Sequence, residues 1–158
     1  MRNLWPDDIA EVLADTKSPV AILREQAALL GQSTQNLVKA KVAEGQLAPL
    51  PEGLSRVIGI SGQSLLMKPN FVYDFFITAP PLGAYRYKAF TIEYGIDLYP
   101  VRIEADEDVQ VEITSKSFLL AESETEFVEI LGEIFATEKM RRVISTLLAQ
   151  MDVVPETA

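Results

Sequence analysis

The chain contains no cysteine and no histidine. Without cysteine there is no disulfide, no thiolate metal site and no thiol nucleophile. Without histidine the commonest general base is gone, together with the usual protein ligand of zinc, copper and non-haem iron. Ser-His-Asp and Cys-His catalytic sets are therefore excluded, and neither a metal nor another cofactor is expected. No apolar run approaches the roughly 18 residues that a membrane-spanning helix needs, so no membrane partner is expected. The N-terminal stretch from Met1 to Asp8 carries acids early and has no apolar centre, unlike a signal peptide. These absences together favour a cytoplasmic protein.

Positive charge is also scarce. Fourteen Lys and Arg face 23 Asp and Glu, for a net charge of −9. Nucleic acid and anionic membranes require basic patches, so this balance argues against nucleic acid as the partner. The imbalance is local: residues 1–103 are neutral, with ten acids and ten bases, whereas residues 104–138 hold eleven acids and one base.

What is present is an ordinary globular composition, 48% hydrophobic and 23% charged over 158 residues, which fits one domain over residues 1–158. Residues 46–54, with two prolines and a glycine, read as a subdomain seam, and residues 152–158 as a loose tail. The expected fold class is α+β: two N-terminal helices, an antiparallel meander of four to five strands, and a C-terminal helix pair packed on one sheet face. Pro6 suits the first position of one helix. Ser18-Pro19 opens a second, whose apolar residues Leu23, Ala27, Leu30, Leu37 and Val38 keep a helical period toward a stop at Gly45. Residues 56–60 and 64–67 read as short strands, residues 71–78 as the strongest strand, and 85–94 and 98–103 as two more. Val109, Val111 and Ile113 alternate with polar residues, which predicts another half-buried strand. Ser123 and Glu126 form a capping box ahead of a helix, and Thr137 caps a last one.

Several residues invite a chemical reading. Glu104, Asp106 and Asp108 alternate like the ligands of a hard cation, but the glycine and closing glutamate of a calcium loop are missing, so no metal site is expected. Gly59-Ile60-Ser61-Gly62 lacks both the spacing of a nucleophile elbow and a histidine to activate the serine. Glu126, Glu129 and Glu133 share one helical face and, with Asp106 and Asp108, offer a contact surface for a basic protein. Tyr73, Tyr85 and Tyr87 lie in or beside the sheet with Asp74 and Arg86, and such groups line a pocket if they converge. The resulting expectation is a non-catalytic acidic module that binds a basic protein partner in an accessory or inhibitory role. The alternative is a small-ligand domain or carboxylate-based enzyme using the tyrosine-lined sheet pocket.

Overall fold

A computed structural model describes residues 1–8, 16–45 and 70–152. Within them the fold is α+β, a five-stranded antiparallel sheet with four helices. The elements are α1 (Pro19–Ser33), β1 (Lys39–Glu44), β2 (Phe71–Thr78), β3 (Arg86–Tyr94), β4 (Val101–Ala105), α2 (Glu107–Ile113), β5 (Leu119–Ala121), α3 (Glu124–Phe135) and α4 (Glu138–Asp152). The described strands lie side by side in chain order, β1 to β5, as a meander. The two short strands expected over 56–60 and 64–67, the seam at 46–54 and the tail beyond Asp152 lie outside the described residues.

Two N-terminal helices are not what the described residues show: one helix precedes the sheet. Asp7 and Asp8 sit in a turn, and the remainder of the first expected helix lies outside the described residues. The second starts as read, with Ser18 Oγ accepting from Ala21 N and Pro19 in the first turn, but it stops at Ser33. Gln35 and Asn36 take left-handed backbone, φ 54° and 64°. The Asn36 and Gln35 amides bond back to the carbonyls of Gly31 and Gln32, the paired bonds of a Schellman stop. A glutamine in the usual glycine position conceals that stop in the sequence. Thr34 Oγ1 then accepts from Val38 N and donates its single proton to the Val38 carbonyl oxygen at 2.7 Å, with the Leu30 carbonyl also near at 3.0 Å. From Val38 onward the period is two: Val38, Ala40 and Val42 face the core while Lys39 and Lys41 face away, and the segment is a strand. Gly45, just past the strand, needs to be glycine because a Cβ there would meet the Asp74 carboxylate at 2.6 Å.

One irregularity in β3 governs the sheet. Phe75 pairs with Phe90 but Phe76 pairs with Lys88, so Ala89 is the extra residue of a β-bulge. One extra residue reverses the side-chain alternation. Phe90, Ile92 and Tyr94 point to the core, and so does Tyr87, while Arg86 and Lys88 turn outward. This explains why neither parity of this strand is apolar along its whole length.

The expected strand at 109–113 is instead helix α2. Both patterns fit its residues, and burial separates them. Val109 is fully buried and Ile113, four residues on, packs against the core, whereas Val111 between them is 70% exposed. Glu107 and Asp108 occupy the first turn, where acids oppose the helix dipole. Buried Gln110 fixes the turn, accepting from Ala105 N and donating to the Lys116 carbonyl.

The C-terminal helices take the expected places. Phe127, Leu131 and Ile134 of α3 and Met140, Leu147 and Met151 of α4 join the core cluster with Phe75, Ile77, Phe90, Ile92 and Ile103 of the sheet. Ser123 Oγ accepts from Glu126 N, and the Glu126 carboxylate reaches back to Glu122 N, one residue earlier than a standard capping box. Ser123→Ala should lower stability by about 1 kcal/mol. Urea unfolding checks this, and an unchanged midpoint would mean that the cap is supplied by water. The neighbouring cap is built across elements: Glu112 of α2 accepts from the Glu138 and Lys139 amides at the start of α4, and Thr137 Oγ1 accepts from Met140 N.

Candidate functional site

The sheet has two unlike faces. The core face is covered by the helices. The other face can be read in rows from the strand register. Its first row is Lys39, Thr78 and Arg86, and its second is Lys41, Phe76 and Lys88. The third is Ala43, Asp74, Thr91 and Glu104, and the fourth is Val72, Glu93, Arg102 and Leu120. Four cations thus occupy the first two rows with no anion between them, and all four are exposed. The Arg86 guanidinium lies 3.9 Å from the centre of the Phe76 ring, a cation–π contact. In the third row Asp74 accepts a 2.6 Å hydrogen bond from Thr91 Oγ1. Cations and anions meet in the last two rows, where Arg102 bonds Glu104 at 2.8 Å and lies over the Phe118 ring.

The residues of the pocket alternative are not brought together. Asp74 and Arg86 lie on the outer face, in different rows. Tyr73 and Tyr87 point the other way, Tyr73 stacking on Tyr94 and Tyr87 packing at the edge of the core. Tyr85 is exposed in the β2–β3 connection. A cleft of about 610 Å³ lies elsewhere, lined by Asn70, Glu93, Tyr94, Asp97, Tyr99 and Arg102 near the β3–β4 turn.

The acidic residues divide into two groups. Asp106 and Asp108 are engaged inside the molecule. Asp106 accepts from the Tyr87 hydroxyl at 2.8 Å, and Asp108 pairs with Lys139 at 3.1 Å. Burial, followed by the bond to Asp106 and the charges of Asp106 and Asp108, pushes the Tyr87 phenol well above its ordinary value. Asp106 therefore ties the start of α2 to β3, and exposed Asp108 links α2 to α4 by a surface ion pair. Glu126, Glu129 and Glu133 are all exposed on α3, and no cation among the described residues pairs with them. Glu126 is partly committed to its cap, whereas Glu129 and Glu133 are free of one. Beside them the helix is nearly bare: Val128 is exposed, and nothing lies within 4 Å of a Cβ built on Gly132. Glu133 also lines a shallow depression with Glu112 and Ile113 of α2.

No protein-family model, no curated protein and no solved structure matches the chain. Any functional reading must therefore come from the surfaces themselves. Among the described residues no three carboxylates converge as metal ligands, and no helix is long and apolar enough to cross a membrane. The four-cation patch escapes sequence reasoning because its residues come from two strands some 45 residues apart, one of which reads as a helix. The Lys-Ala-Lys alternation at residues 39–41 was the available signal.

Proposed function

We propose that this protein is a non-catalytic binding module that engages a basic protein partner through the outer face of α3. The observation that carries the reading is the pair Glu129 and Glu133, exposed and without a cation, beside the exposed Val128 and the open Gly132 surface. An apolar patch bordered by charge is the usual anatomy of a protein interface. Uncompensated carboxylates at its rim accelerate the approach of an oppositely charged partner. The pocket alternative has weaker support, since its five residues lie on both faces of the sheet.

Charge reversal tests the proposal. Glu129→Lys combined with Glu133→Lys should leave the unfolding midpoint nearly unchanged, because surface substitutions away from caps and core usually cost under about 0.5 kcal/mol. It should slow association with a basic partner recovered by cross-linking to the wild type by about tenfold or more at low salt, and by less at high salt. An association rate equal to that of the wild type at low salt would place the site elsewhere.

A further inference from the structure

We infer that the outer edge of β1, which no described strand pairs, accepts an extended segment of a partner polypeptide as an added strand, and that this segment alternates acidic with apolar residues. The inference goes beyond the acidic-face reading and uses a different part of the molecule. β1 lies at the end of the sheet, with β2 on one side and no strand among the described residues on the other. In an antiparallel pair the residues alternate between bonding the partner and pointing away from it. Gly45 N bonds the Val72 carbonyl, so the odd-numbered residues of β1 face β2. Val38, of the opposite parity, turns outward, and there Thr34 Oγ1 satisfies both its amide and its carbonyl. Ala40, Val42 and Glu44 share that outward direction, and no described backbone group bonds them. They leave three amides and three carbonyls along one edge, the template that strand addition uses.

The side chains define what would fit. On an added strand every second residue would lie beside Lys39 and Lys41, on the outer face where Arg86 and Lys88 complete a patch of four exposed cations. Side chains directly opposite across neighbouring strands sit about 5 Å apart and favour opposite charge. Carboxylates suit those positions. The intervening residues would lie beside half-buried Ala40 and Val42, on the side where α1 packs, and small apolar side chains suit them. A polypeptide fits this surface better than a nucleic acid for two reasons. The edge, unpaired among the described residues, matches a peptide backbone, and the Phe76 ring already carries Arg86 on one face, which leaves a base a poorer stacking platform.

The probe is a fluorescein-labelled hexapeptide of alternating glutamate and valine, titrated into the full chain and read by fluorescence polarisation. Saturable binding is expected, and it should weaken as salt rises. Lys39→Glu with Lys41→Glu should reduce affinity at least tenfold, and so should Val42→Pro, which removes an outward amide that an edge strand does not use internally. Neither change should shift the unfolding midpoint by more than a few degrees. Amide hydrogen exchange gives a readout that depends on no variant: bound peptide should slow exchange at Ala40, Val42 and Glu44. Unchanged affinity of Val42→Pro, or no added protection at those three amides, would overturn strand addition. Tighter binding of a thymidine hexanucleotide than of the peptide would overturn the choice of partner, as would equal binding of a lysine–valine hexapeptide.

Discussion

Phe90→Ala should remove about 3–5 kcal/mol of stability, the usual cost of emptying a buried aromatic site. Phe90 is 1% exposed and stacks on Phe75 with ring centres 4.9 Å apart and planes 9° from parallel. Phe135 of α3 leans on both rings, at 5.7 Å and 6.2 Å. The three rings join two central strands to the C-terminal helix pair, so the space left by Phe90 is bounded by rigid neighbours and collapses poorly. An effect of this size is a large part of a typical domain's 5–15 kcal/mol. Urea unfolding measures it, with Val111→Ala as the comparison. Val111 is 70% exposed, and its replacement should stay within about 0.5 kcal/mol. A loss below about 1 kcal/mol for Phe90→Ala would mean that the sheet and helices do not share this core.

Stability should also collapse at alkaline pH, and three tyrosines predict where. Burial, followed by the charge of Glu124 and the neighbouring Tyr94, raises the Tyr99 phenol to about 12. Burial is the main cause for Tyr94, which is raised as well. Tyr87 is raised further, by burial and then by Asp106. An unfolded tyrosine ionises near 10. Below that pH both states hold their phenolic protons, and the contribution of these groups is fully present. Above it the unfolded chain releases protons that the folded chain retains, so unfolding gains free energy with each further rise in pH. The urea midpoint should be flat to about pH 9.5 and fall steeply beyond about pH 10.5. Tyr87→Phe should make that fall shallower, because one of the three groups no longer titrates. A midpoint that holds steady to about pH 11.5 would show that these phenols ionise in the folded protein as freely as in water.

The parts of the fold that were legible from sequence are those where one period acts alone. β2 spans Phe71–Thr78 as its sequence predicts, because aromatic and β-branched residues fill it on both sides of Asp74. The C-terminal pair was legible because Ser123 and Thr137 mark its starts and its apolar stripes are regular. The errors fall where two patterns coincide. Leu37, Val38 and Val42 continue the period of α1 by accident, and the Schellman stop that separates them uses Gln35 in place of glycine. Val109 and Ile113 satisfy a strand and a helix equally, and only the exposure of Val111 decides between them. β5 is three residues long, too short to carry a period. The candidate surfaces follow the same division. The exposed glutamates of α3 were legible because a single helix presents them. The engagement of Asp106 by Tyr87 and of Asp108 by Lys139 was not, since each contact joins positions about 20 or 30 residues apart.

The strictly sequential strand order has a bearing on how the molecule is completed during synthesis. A nascent chain that has reached Glu122 already contains all five described strands, each paired with its neighbour in chain order. The cover is different. Phe127, Leu131, Ile134, Phe135, Met140, Leu147 and Met151, which close the core over Phe75 and Phe90, all lie within the last 32 residues. Until those residues leave the ribosome, α1 is the sole long helix available to that face among the described elements. The sheet is therefore specified early and sealed late, and a truncation that spares every strand still leaves its two stacked phenylalanines without their lid.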